Sequence, residues 1–136
     1  MGNVAGSRRK SREQAFIILF EKSFNDDMSV DEIIRIAEEA EVITADNFTL
    51  NLIKTAVDNI DVIDSEIEKN LKGWNMSRIS KVSLAIMRMA IGEMMFNGDV
   101  PVGVSINEAV ELCKIYGGEE DKSFVNGVLG SIARSL

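Results

Sequence analysis

Residues 77–96 offer water almost no polar helical face. Ile79, Val82, Leu84, Ile86, Met87, Met89, Ala90, Ile91, Met94 and Met95 lie on most sides of the segment, and Asn97-Gly98-Asp99 ends it. A helix apolar nearly all round has to be enclosed by other elements, so it belongs at the centre of a bundle. The flanking sequence supplies those elements at helical spacing. A first helix is expected over about 11–24, with Ala15, Phe16, Leu19 and Phe20 on one face. A second starts at Ser29, where Glu32 three residues on makes a capping box, and carries Val30, Ile33, Ile34 and Ala37. A third opens near Thr44 or Asp46 and presents Phe48, Leu52, Ile53, Ala56 and Val57. A fourth covers about 62–71, with Ile63, Ile67 and Leu71 in register, and Gly73 and Trp74 follow it.

Beyond Pro101, Ser105 with Glu108 reads as a second capping box opening a helix to Tyr116. Gly117-Gly118 then stops that helix in the left-handed conformation usual for glycine there. A last helix takes about 122–133. Inside it, Asn126-Gly127 is costly against alanine and suggests first a close helix crossing, second a backbone near a ligand. No strand alternation or repeat competes with this pattern. The fold class is all-α, about seven helices in two packed small bundles. Residues 1–7 read as a disordered lead, and 8–136 as one domain with an N-terminal bundle over about 11–72 and a C-terminal bundle over about 74–136.

Several function classes fall away on composition. The chain has no histidine, which removes Ser-His-Asp and Cys-His nucleophile pairs, histidine acid–base catalysis and two-histidine zinc motifs. Cys113, the one cysteine, lies in an apolar helical stripe and reads as a buried structural thiol in a reducing compartment. The acid clusters Glu38-Glu39-Glu41 and Glu119-Glu120-Asp121 read as solvated faces, the second also suited to a helix N-terminus. There is no phosphate-cradling glycine motif, no apolar run near the roughly 20 residues of a membrane span, and no signal-peptide pattern. The expectation is a cytoplasmic, non-enzymatic protein with no cofactor, no metal, no small-molecule substrate and no membrane partner.

The charge is sharply divided. The net charge is −7, yet Arg8, Arg9, Lys10 and Arg12 stand in the first 12 residues with no acid among them. The remaining chain sets 11 basic residues against 22 acidic ones. A short basic arm can hold phosphate while an acidic body limits non-specific association. Arginine donates bidentately to phosphate, and the aromatics Phe16 and Phe20 follow at once on the same helix, where they could pack inward or stack on bases.

The C-terminal third is more specific. It reads VPVGVSINEAVELCKIYGG over 100–118 and then SFVNGVL over 123–129. Upstream stand Trp74, Arg78, Ile79, Val82, Ile86, Arg88 and Glu93, and the opening carries R..S.R..A…LF. In these pieces and in their order, over about residues 8–134, the sequence resembles the NusB family of bacterial transcription antitermination factors.

The resemblance implies an all-helical, non-enzymatic protein that binds the boxA element of nascent RNA together with NusE, also a small-subunit ribosomal protein. That complex helps the RNA polymerase elongation complex read through terminators, above all on ribosomal RNA operons. By motif position it brings over Arg8, Arg9, Lys10, Arg12, Phe20, Tyr116, Glu120 and Phe124 as RNA-facing. It also points to Ser77, Arg78, Lys81 and Ser83 as facing the protein partner. Phe20 stands where the family often has tyrosine, keeping the stacking face and losing a hydroxyl donor. Arg88 and Glu93, on the mostly apolar helix, are expected in internal ion pairs. The alternative is a helical protein-binding adaptor whose basic arm is only a solvated tail.

Overall fold

A computed structural model describes residues 4–136, with side chains from Ser7 onward. Among the described residues there are seven α-helices, one 3-10 turn and no strand, so the all-α expectation holds. The helices are α1 (Val4–Lys22), α2 (Val30–Glu39), α3 (Asn47–Asp58), α4 (Ile60–Lys69), α5 (Lys81–Phe96), α6 (Val102–Tyr116) and α7 (Glu119–Ala133), with the 3-10 turn at Met76–Arg78. The expected disordered lead is corrected in part. Residues 1–3 lie outside the described residues, while Val4–Ser7 form the first turns of α1.

Side-chain caps set several helix starts. Ser29 Oγ accepts the Glu32 N–H at 3.2 Å, Asp46 Oδ1 accepts the Thr49 N–H at 2.7 Å, and Ser80 Oγ accepts the Ser83 N–H at 3.0 Å. Each satisfies an amide that the helix leaves without an internal partner. Two starts differ from expectation. The sixth helix begins at Val102, directly after Pro101, so Ser105 and Glu108 fall inside it and do not cap it. The last begins at Glu119, three residues early, because the Asp121 carboxylate accepts the Gly118 N–H at 2.9 Å and closes the first turn. Gly117 and Gly118 are not left-handed, with φ of −114° and −100°. Gly117 is required for space instead: a Cβ there would meet the Asp121 side chain at 3.0 Å.

The apolar helix α5 packs against α1, α3, α4, α6 and α7. Ile86, Met87, Met89, Ala90 and Ile91 are almost fully buried, and they join Ile18, Ile53, Ile67, Leu129 and Ile132 in one core. Burial of this kind is the main stabilising term, since removing apolar surface from water contributes about 25 cal/mol per Å2. Two ion pairs tie α5 to its neighbours: Arg88 bonds Asp64 of α4 at 2.9 and 2.8 Å, and Glu93 bonds Arg12 of α1. No described helix is long and apolar enough to cross a membrane.

Candidate nucleic-acid interface

The basic arm is helical, and the periodicity of α1 divides its four cations. Arg8, Arg9 and Lys10 are exposed. Arg8 lies 4.1 Å over the Phe48 ring, a cation–π contact that orients the guanidinium without using its outward donors. Arg9 donates to both carboxylate oxygens of Glu108, at 3.0 and 2.8 Å, from a side chain still 57% exposed. Lys10 has no ion pair among the described residues.

Arg12 departs from the expectation. It is 4% exposed and donates to both oxygens of Glu93, at 3.0 and 2.8 Å, while Ser105 Oγ donates to the same carboxylate at 2.8 Å. Arg12 lies four residues before Phe16 and seven before Leu19, on the stripe that faces the core. Its donors belong to the fold, and it is not a phosphate ligand in this arrangement.

Past the arm, α1 carries a row of aromatic rings. Phe16 is buried, with the Tyr116 ring 4.8 Å away and the half-buried Phe20 ring 5.7 Å away. Phe24 stands edge-on to Phe20 at 5.0 Å and is 57% exposed. Tyr116 donates its hydroxyl to Glu13 at 2.8 Å. Burial first, and then this bond to a carboxylate, push the phenol pKa up to about 12.

The row continues onto α5 and α7. Lys81 sits 5.1 Å over the Phe24 ring and donates to the Ser23 carbonyl at 3.3 Å. One turn away, Asp121 accepts from Ser80 Oγ at 2.9 Å and Ser83 Oγ at 2.8 Å, joining the start of α7 to the start of α5. These bonds hold the Asp121 carboxyl below the usual range, the Gly118 amide first among the causes. Glu120 is exposed beside them, and Phe124 lies one turn further along α7, its ring 6.0 Å from Trp74.

Among the four expected partner-facing residues, Ser77, Arg78 and Lys81 are exposed. Ser77 donates its hydroxyl to Asn75, and Arg78 makes no side-chain bond among the described residues. Ser83 is a correction: it is 1% exposed and its hydroxyl is committed to Asp121, so it acts within the fold. It recurs with Ile86, Met87 and Ala90 on one buried stripe, a spacing that could have placed it.

The structure thus brings Arg8, Arg9, Lys10, Phe20, Tyr116, Glu120 and Phe124 to exposed or half-buried positions, linked through Phe16, Phe24, Lys81 and Asp121. Such a surface offers charge-assisted donors at one end and aromatic faces along its length, the two elements that single-stranded nucleic acid requires. Sequence reasoning missed Phe24 and took Asp121 for part of a solvated face. Their shared signal is position, an aromatic or acid at a helix end, which sequence alone does not resolve from a solvated loop.

With that geometry in view, the comparisons are consistent with one another. The NusB family model matches residues 9–134. The transcription antitermination protein NusB of Acetivibrio thermocellus is 44% identical over 128 residues, covering 93% of this chain and 88% of that protein. Its counterpart in Clostridium acetobutylicum is 45% identical over 130 residues, covering 95% and 96%. The fold also matches a crystal structure of antitermination factors NusB and NusE in complex with dsRNA, with a TM-score of 0.85 at 30% identity, covering 95% of this chain and 97% of that one.

Proposed function

The chain belongs to the NusB family, and from that premise we propose that it is a transcription antitermination factor. It binds boxA-type nascent RNA together with NusE and promotes read-through and ribosomal RNA synthesis by the RNA polymerase elongation complex. It carries out no chemistry of its own. Such a role puts it in the cytoplasm, at the transcript as it emerges.

The observation that supports this reading best is the continuous surface from the exposed cations of α1 to the aromatic rings of α1, α6 and α7. Arg8, Arg9 and Lys10 hold phosphates, with Arg9 sharing its donors between Glu108 and the ligand. Phe20, Tyr116 and Phe124 offer ring faces to unstacked bases, and Glu120 offers an acceptor to their amino groups. Arg12 supports the site from beneath by fixing α1 on α5. Ser77, Arg78 and Lys81 face the protein partner, and Ser83 acts through Asp121. Three exposed arm cations release few counterions, so RNA affinity alone is modest and a partner that adds surface raises it.

Fluorescence anisotropy with labelled boxA RNA and a scrambled control, each with and without NusE, tests the proposal. It expects a preference for boxA that tightens with NusE. A protein that ignores both RNAs in every condition is instead a protein-binding adaptor.

A further inference from the structure

Two neighbouring hollows remain on the surface after that reading, and they share a wall. Trp74 and Phe124 line both of them. One, of about 470 Å3, also holds Arg78 and Glu120. The other, of about 250 Å3, holds Lys72, Ser123 and Gly127. The chain's single tryptophan stands 56% exposed between them. An indole left this open at the end of a turn forgoes the burial that usually accompanies so large an apolar group.

The turn that presents it is built for the purpose. Lys72 and Gly73 both have positive φ, 48° and 93°, and the Trp74 N–H closes the turn on the Leu71 carbonyl at 3.2 Å. Ser131 Oγ donates to Asn70 Oδ1 at 2.6 Å and ties the same turn to α7. Gly127 supplies an independent observation. A glycine inside a helix is unfavourable against alanine, and the close helix crossing that would explain it is absent: a Cβ at Gly127 would meet nothing within 4 Å. The position is open, and what it opens onto is the hollow beside Trp74.

We propose that Trp74 is the platform of a further nucleotide subsite, resting on the RNA-binding reading above. One unstacked base of a single-stranded RNA lies against the indole, over the helix backbone bared at Gly127, and a flanking phosphate meets Lys72. Lys72 is exposed and makes no ion pair among the described residues. Lys72 is the one charged residue lining the hollow at Gly127, which suits an anionic ligand, and Phe124 continues the surface already assigned to bases. Glu120, exposed and unbonded among the described residues, lines the neighbouring hollow on the same two rings.

Because Trp74 is the only tryptophan, its own emission reports the site. Unlabelled single-stranded boxA RNA is titrated while tryptophan fluorescence is followed, with anisotropy of labelled RNA in parallel. The proposal expects emission to be quenched along the anisotropy curve. Trp74→Ala weakens binding on the order of tenfold, the scale of one base stacked on one aromatic ring, and Trp74→Phe by less than about threefold. Gly127→Ala weakens it several-fold without lowering Tm. If labelled RNA binds while emission stays flat and Trp74→Ala binds like the wild type, the subsite is wrong and the RNA reading stands. If NusE alone changes the emission and Trp74→Ala loses NusE but keeps RNA, the groove is a protein site and the proposal fails. If the wild type binds no RNA, both readings fall together.

Discussion

Arg12 and Glu93 meet inside the helical core through two hydrogen bonds of 3.0 and 2.8 Å, with side chains 5% and 1% exposed. A paired charge this deep is held in place by its neighbours, and removing one member strands the other in a medium that cannot solvate it. Arg12→Ala is therefore expected to destabilise the protein by about 3–5 kcal/mol, read as the shift in urea unfolding. A loss under about 1 kcal/mol, the scale of an exposed pair, would show that water reaches Glu93.

The same pair shows what the sequence can and cannot reveal. Hydrophobic spacing located every helix, because a stripe at period 3.6 must face a core whatever that core is. The apolar α5 was legible as the centre for the same reason. The arm read as four equivalent cations because a charge run carries no phase. Its phase comes from Phe16 and Leu19, and that phase turns Arg12 inward and Arg8, Arg9 and Lys10 outward. Ser105 and Glu108 formed a sound capping pattern, yet the helix starts earlier: Ser105 donates to the Glu93 carboxylate 12 residues away, and Glu108 pairs with Arg9 99 residues away. Long-range pairing of that kind leaves no local trace.

Gly127 separates stability from binding. Its open surroundings predict that Gly127→Ala stabilises the fold by about 1 kcal/mol through helix propensity, raising Tm by about 3 °C in a chain of this size. Differential scanning calorimetry checks it. A lowered Tm would mean that the position is packed after all.

Tyr116, the single tyrosine, gives a pH handle. Its pKa of about 12 predicts that phenolate absorbance near 295 nm develops about two pH units above the ordinary value of about 10. Glu13→Gln lowers the midpoint, and burial keeps it above 10. A folded pKa raised above the unfolded one means that the associated stability is complete below pH 10. That stability is then lost as pH rises through 12. Unfolding midpoints should fall more steeply between pH 10 and 12 in the wild type than in Tyr116→Phe. Parallel curves would contradict the raised phenol pKa.

Cys113 is fully buried, and burial, with the Asp121 charge second, pushes its thiol up to about 11. Thiolate is the reactive form, so an aromatic disulfide reagent at pH 8 should leave the folded protein unlabelled and react once urea unfolds it. Rapid labelling of the folded chain would place the thiol at the surface.

The salt dependence of boxA binding tests most directly whether RNA is held by the exposed cations of α1. Each phosphate contact on single-stranded RNA contributes about 0.7 to the slope of log K against log salt. Replacing Arg8, Arg9 and Lys10 together by alanine should make that slope shallower by about 2 and weaken binding at least tenfold, with the fold intact by circular dichroism. An unchanged slope and affinity in the triple variant would place the RNA on some other face of the protein.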